Sequence, residues 1–267
     1  MTTDNNSMVK FVIGDKERCN QFVSLFSCMK QFADTYSFAF TPDGVSLEGM
    51  DPSHVCMFQL KLTSDWFMEY SVEKNTNISV SSSSLQRVLQ THDGQKIVLC
   101  HDECNDHVDV AFVVGRTNNK SVFAKAFKLA LMTVVDHMDL SVPDFDYTAE
   151  MSMPSRTLAQ LIDQLGSFAD TVNVVCSEES ISLESKGDDT SMNVEIQFDQ
   201  LTSYEIDEDE TVSVCFAVSF LKKVAGAQKL SDSVSVKFSD AYPLFVKYDL
   251  EEGSALSFHL APKIEDE

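Results

Sequence analysis

Apolar positions along the 267-residue chain change their period repeatedly, and each change predicts an element. Residues 8–13 alternate as a strand. From about Lys16 to Gln31, Phe22, Leu25, Phe26 and Met29 follow the i, i+3, i+4, i+7 spacing of one helical face, with Asn20, Ser24, Ser27 and, at its edge, Lys30 on the other. Residues 36–40, a Pro42-Asp43-Gly44 turn and residues 45–48 predict a strand–turn–strand. From Val55 to Leu62, Cys56, Phe58, Leu60 and Leu62 alternate with Met57, Gln59 and Lys61, as in a half-buried strand. A second helix is expected over 84–92, followed by strands at 96–100 and 108–115. The stretch 118–147 breaks the pattern and reads as a long connector crossing a surface. A helix at about 155–168 and strands at 172–176, 181–185 and 192–198 come next. An acidic turn at 207–210, a strand at 212–216, a helix at about 218–229 and strands at 234–238, 244–248 and 256–260 complete the chain.

The second half repeats the first. Phe32-Ala33-Asp34-Thr35 returns as Phe168-Ala169-Asp170-Thr171, a shift of 136 positions (168 − 32). At the same shift Val45-Ser46-Leu47-Glu48 falls on Ile181-Ser182-Leu183-Glu184, and Leu85-Gln86-Arg87-Val88 on Leu221-Lys222-Lys223-Val224. Three ungapped matches at one offset indicate an internal duplication. The expected organisation is α+β: a first domain at 1–117, a connector at 118–147 and a second domain at 148–267.

Composition narrows the class. With 43% hydrophobic residues and no apolar run near the roughly 20 residues of a membrane span, a soluble globular protein with no membrane partner is expected. Residues 1–7 carry no basic or apolar leader pattern, which predicts an intracellular protein. Seven cysteines without a CxxC pair, most of them in apolar stretches, suit reduced core thiols.

Charge is distributed unevenly. The chain carries −22 overall, which by itself argues against a nucleic-acid partner. Yet the four expected helices hold Lys16, Arg18, Lys30, Arg87, Arg156, Lys222, Lys223 and Lys229 against only Glu17 and Asp163, a net +6, leaving −28 for the rest. Glutamate forms helices as readily as lysine, so propensity does not produce this bias of sign. Salt screens exposed charges beyond about 8 Å, and a polyanion held against the helices would feel their local positive surface.

Candidates for chemistry are few. Cys100, His101, Cys104 and His107 have zinc-ligand types, but Cys100 ends a strand-like run and the rest reads as a hairpin turn. Asp51, Ser53 and His54 have triad types within one short segment, whereas triad members usually come from separated segments; a turn between strands is the plainer reading. No glycine-rich phosphate loop, HExxH, GxSxG or kinase signature occurs. The expectation is a non-enzyme without metal or cofactor.

The segment Leu47-Glu48-Gly49-Met50-Asp51-Pro52-Ser53-His54-Val55 closely resembles the hallmark segment of the proliferating cell nuclear antigen family, the eukaryotic-type DNA sliding clamps. The tail from Leu260 to Glu267 is similar to that family's C-terminus almost letter for letter, and Leu140-Ser141-Val142-Pro143, Met153-Pro154-Ser155 and Pro243-Leu244-Phe245-Val246 fall in register. The resemblance spans about residues 10–267. It implies a clamp fold of two similar domains, each with two helices packed on antiparallel sheets. Three subunits would close head to tail into a pseudo-sixfold homotrimeric ring around duplex DNA, in the nucleus or a viral replication compartment.

By the same resemblance, Lys16, Lys30, Arg87, Arg156, Lys222, Lys223 and Lys229 face DNA. A front pocket for peptide motifs of DNA polymerase, flap endonuclease, DNA ligase and the clamp loader comprises Met50, His54, Val55, Leu140, Val142, Pro143, Pro243, His259, Ala261, Pro262, Lys263 and Ile264. Subunits would join through edge strands carrying Val108, Val110, Phe112 and Val114 on one side and Met192, Val194, Ile196 and Phe198 on the other. His259 stands where cellular members usually have tyrosine, and Gln160 and Asp163 where relatives have arginines, which implies thinner DNA contact on the third helix. Seven extra N-terminal residues and a diverged first helix imply a distant relative, of a large DNA virus or a divergent eukaryote. Alternatives within the class are a checkpoint-type heterotrimer member and a monomeric viral processivity factor. Outside it stands a zinc-dependent enzyme.

Overall fold

The computed structural model of the protein describes residues 9–115, 122–133, 143 and 145–263. It divides into two compact units, one of Met1–Gly49, Gln59–Leu140 and Leu250–Ala255, the other of Met50–Phe58, Ser141–Asp249 and Leu256–Glu267. None of its helices is long and apolar enough to cross a membrane.

The first half of the chain runs β1 (Val9–Ile13), α1 (Lys16–Met29), β2 (Thr35–Thr41), β3 (Gly44–Met50), β4 (Cys56–Thr63), β5 (Glu69–Val72), β6 (Thr76–Ser81), α2 (Ser82–Leu89), β7 (Lys96–His101), β8 (His107–Val113) and β9 (Lys125–Ala130). The second runs β10 (Ala149–Pro154), α3 (Ser155–Leu165), β11 (Thr171–Cys176), β12 (Ile181–Lys186), β13 (Ser191–Ile196), β14 (Ser203–Ile206), β15 (Val212–Ala217), α4 (Val218–Ala225), β16 (Ser233–Phe238), β17 (Leu244–Asp249) and β18 (Ala255–Leu260). The order of strands and helices is the same in both.

So is the pairing. The strand order β5-β1-β7-β8-β9 recurs as β14-β10-β16-β17-β18, and β6-β2-β3-β4 recurs as β15-β11-β12-β13. The 136-residue echo is visible in single hydrogen bonds: Ser82 N donates to Asp34 O and Val218 N to Asp170 O, each at 2.9 Å. Phe32 N donates to Met29 O and Phe168 N to Leu165 O in the same relation. The repeated Phe-Ala-Asp-Thr is thus the turn that leaves the first helix of each unit and anchors the second. Its side chains have diverged: Phe32 is fully buried and Phe168 is 40% exposed.

Helix starts follow from local chemistry. Asp15 Oδ1 accepts from the backbone N–H of Glu17 and Arg18 and caps α1, whose buried face is Cys19, Phe22, Leu25, Phe26 and Met29. The core of the first unit is aromatic, with Phe11 against Phe67 and Phe22 against Phe26 at ring separations of 4.8 Å. Trp66 is fully buried and donates from Nε1 to Leu250 O at 2.9 Å. Arg18 covers that indole at 5.9 Å, donates to Trp66 O and pairs with Glu251 and Glu252. It is a structural cation, not a free one.

Five strands were not foreseen in the pattern. β5 and β14 are only four residues long and half exposed, and β10 alternates Ala149, Met151 and Met153, which are weak strand formers, with polar residues; β6 does carry a strand alternation, Thr76, Ile78 and Val80 against Asn77, Ser79 and Ser81, which the expectation passed over. The fifth, β9, lies inside the stretch expected as a connector at 118–147 and corrects it. Val110 pairs with Phe127 and Val108 with Leu129, so β9 is the counterpart of β18. The contact boundary between the units falls between Leu140 and Ser141.

Gly44 closes the β2–β3 hairpin at φ +150°, and a Cβ there would lie 2.1 Å from Leu62 O. Gly44→Ala should therefore lower stability by about 2–4 kcal/mol, read as a lower urea midpoint with unchanged slope.

Candidate nucleic-acid interface and partner pocket

In the first unit α1 packs on α2, and in the second α3 packs on α4. Their buried stripes face the sheets, which leaves Lys16, Lys30 and Arg87 exposed on the first pair and Arg156, Lys222 and Lys229 exposed on the second. Lys30 caps the C-terminus of α1, and Lys229 lies in the 3-10 turn Gly226–Lys229 that follows α4. Lys223 is half buried, its ammonium 4.7 Å from the Phe220 ring, and Lys222 Nζ lies 3.8 Å from Asp163 Oδ1. Asp163 thus offsets one of the expected cations. Around the charges stand neutral polar residues, Asn20 and Ser27 on α1 and Gln160 and Gln164 on α3. Exposed cations on long side chains can attract phosphates but cannot read base edges, which requires fixed donors and acceptors in a groove.

The second unit holds the described part of the expected pocket. Asp51, only 2% exposed, organises its first wall: Oδ2 accepts from Ser53 N at 2.8 Å and Ser53 Oγ at 2.6 Å, and Oδ1 from Val55 N at 2.8 Å and Cys56 N at 2.6 Å. Burial pushes this carboxyl's pKa up, but the Ser53 hydroxyl and the three backbone donors outweigh it and hold it below its ordinary value. His54 occupies the left-handed region at φ 59° and is exposed, with Met50 and Val55 half buried beside it. The carboxylate is consumed by the turn, so Asp51, Ser53 and His54 form a structural loop.

The second wall is the end of the chain. Ala261 N donates to Val55 O at 2.9 Å, and Lys263 N to Cys215 O at 2.7 Å. The first bond ties the end of the chain to the Asp51 turn and the second ties it to β15, with Ala261 and Pro262 half buried and Lys263 exposed. His259 is buried, its Nδ1 has no hydrogen-bond partner among the described residues, and burial lowers its pKa, which favours the neutral ring. Its ring lies 5.0 Å from that of Phe245. Pro243 is half buried and Pro143 exposed, while Leu140, Val142 and Ile264 lie outside the described residues. An aromatic group absent from the expected set extends the wall: Phe145 stacks on Tyr242 at 4.5 Å, and Tyr147 lies 6.1 Å from Phe245. The aromatics that follow Pro143 and flank Pro243 were its only sequence signal.

The expected subunit edges need one correction. β8 is paired on both sides, by β7 and β9, and Val108, Val110 and Phe112 are core residues, with Val114 half buried just beyond the strand. Among the described residues the edge of that sheet on this side is β9. β13 is an edge among the described residues, with Met192 and Val194 half exposed, Ile196 buried and Phe198 45% exposed in the turn beyond it. The zinc candidates do not converge: His101 Nδ1 lies 3.1 Å from His107 O, and His107 faces Asp106 and Asp109. Among the described residues no group of three ligand-type side chains could hold a metal.

Two family models match the chain: the N-terminal domain of proliferating cell nuclear antigen over residues 16–137 and its C-terminal domain over 141–263. The chain belongs to the proliferating cell nuclear antigen family. A proliferating cell nuclear antigen from Chaetomium thermophilum is 27% identical over 259 residues, covering 94% of this chain and 97% of that protein. The border between the two matched domains, 137 to 141, coincides with one boundary of the compact units, which otherwise exchange residues 50–58 and 250–255. Membership supports a DNA sliding clamp, a non-enzymatic class that serves replication and repair.

Asp51 carries a pH prediction. Its folded pKa is depressed, so its contribution is fully present above the ordinary carboxylate pKa and is lost as pH falls through the folded value. Asp51→Ala should remove about 2–4 kcal/mol at pH 7 and flatten the loss of stability below about pH 4, measured by urea unfolding across that range.

Proposed function

We propose that this protein is a homotrimeric ring that encircles duplex DNA without sequence preference and tethers replication and repair enzymes to it. The observation that carries the reading is a pair of unfilled edges. β9 holds in the first unit the place that β18 holds in the second, and β13 holds in the second the place of β4. Within the second unit the start of β4 lies beside β18. A β9–β13 pairing between copies would repeat that arrangement, and a head-to-tail contact of this kind closes into a ring.

Retention would then be topological, and grip on DNA can be weak. Lys30, Arg87, Arg156, Lys222 and Lys229 supply mobile phosphate contacts, while the remaining acidic surface, which brings the chain to −22, discourages wrapping of DNA elsewhere. Clients such as DNA polymerase, flap endonuclease, DNA ligase and the clamp loader would insert an apolar plug between the Asp51 turn and residues 259–263. His259, neutral and backed by Phe245, suits an apolar or aromatic group. The site of action would be the nucleus, or a viral replication compartment.

After loading, the protein should stay on nicked circular DNA and run off once the circle is linearised. Equal loss from both forms would overturn the ring. Arg87→Ala combined with Arg156→Ala should lower the salt dependence of DNA binding by about one to two counterions per subunit without affecting retention on circles.

A further inference from the structure

The solvent face of the sheet β14-β10-β16-β17-β18 carries side chains that the duplicated fold does not require. Along β17 the buried residues are Leu244, Val246 and Tyr248, so Phe245 and Lys247 point away from the core. Cross-strand pairing sets Glu150, Lys237 and Phe245 in one outward row. The corresponding row of the first unit is Lys10, Cys100 and Asp109. A phenylalanine therefore stands where its counterpart is a carboxylate, on the face that an antiparallel sheet commonly gives to water.

Phe245 belongs to a series of rings. It lies 5.0 Å from His259 on one side and 6.1 Å from Tyr147 on the other, and Tyr147 meets Phe145 and Tyr242 edge-on at 6.1 and 6.3 Å. The series ends in the Phe145–Tyr242 pair, stacked at 4.5 Å with the planes 23° apart. Phe145, Tyr242 and Phe245 are only half buried, so part of this aromatic surface reaches solvent.

The charge left over around the stacked pair is negative. Lys237 Nζ is held by Glu150 Oε2 at 2.8 Å and Lys247 Nζ by Asp249 Oδ1 at 2.7 Å, so the lysines of this face are already neutralised. Asp146, next to Phe145, and Asp240, two positions before Tyr242, are exposed, and among the described residues neither is paired with a cation. Ring faces carry the negative side of the aromatic quadrupole, and two uncompensated carboxylates close by in sequence add to it, so a cation is the group this combination favours. A guanidinium suits it better than an ammonium: it is planar, stacks on a ring and bonds a carboxylate through its edge.

We infer that the Phe145–Tyr242 stack, with Asp146 and Asp240, is a second recognition point beside the partner pocket, taking an arginine that a client carries on a flank of its apolar plug. The inference rests on the proposed client pocket, and its test keeps the two apart. The probes are short fluorescein-labelled peptides with a plug of two phenylalanines and one arginine moved along either flank, each compared by fluorescence polarisation with the same peptide carrying citrulline, which keeps the shape and loses the charge. One placement should bind about tenfold tighter than its citrulline counterpart, with the preference shrinking as salt rises. The ratio of the two affinities is the readout, so any change in plug binding cancels. Phe145→Leu and Tyr242→Leu, which keep apolar volume without a ring, should bring the ratio close to one, and Asp146→Asn with Asp240→Asn should lower it to about threefold. Equal binding of arginine and citrulline peptides at every placement would overturn the cation point and leave the pocket standing. A preference of the same size at every placement that survives Phe145→Leu would trace to the net charge of −22 and sink the inference too. If no peptide binds, the pocket itself falls.

Discussion

Every backbone N–H and C=O in a sheet needs a partner, and a duplicated antiparallel unit cannot supply all of them from within. That constraint organises this molecule. Each half builds one sheet that ends in a third strand after its second helix, and another that ends in the strand after its central hairpin. In the second unit these two kinds of edge lie side by side, where the start of β4 borders β18. One edge of each kind remains, β9 and β13, and the reading of the protein as one member of a closed assembly follows from that remainder.

Function is carried by what the sheets leave uncovered. The helices bury one stripe and present the other, so cations at exposed helical positions give each helix pair a mainly positive face although the whole chain is strongly acidic. The pocket has a different origin. A buried carboxylate with four donors fixes the turn at residues 51–56, and that turn accepts the end of the chain through Val55 O. A residue with catalytic credentials is thereby a scaffold, because every acceptor site on it is already filled.

The two repeats have drifted apart in chemistry while keeping their hydrogen bonds. The first core is built on phenylalanines and a buried tryptophan, and its first helix is tied down by Arg18. The second relies on Leu158, Ile162, Leu165 and branched strand residues, with no aromatic cluster of that size. Backbone pairing tolerates such replacement as long as face parity and volume are kept, so the duplication survives in the register of single hydrogen bonds more faithfully than in side chains.

Much was legible without coordinates. The repeat at 136 residues, all four helices, the strands with clean alternation and the sign of charge on the helices are properties of residues near in sequence, and the segment from Leu47 to Val55 with the tail from Leu260 carried the family. The edge of the first sheet was not legible. Val108, Val110 and Phe112 alternate as convincingly as any edge strand would, and nothing local tells whether a strand is flanked on one side or two; the quieter Lys125–Ala130, with two lysines and two alanines, passed for a loop. Likewise Arg18 counted as one more helix cation, because the indole and carboxylates around it lie far away in sequence, whereas Asp51, whose four donors come from residues 53–56, was already legible as part of a turn. Periodicity and composition fix which residues face inward, while only the fold decides which strand is last and which charge is already spent.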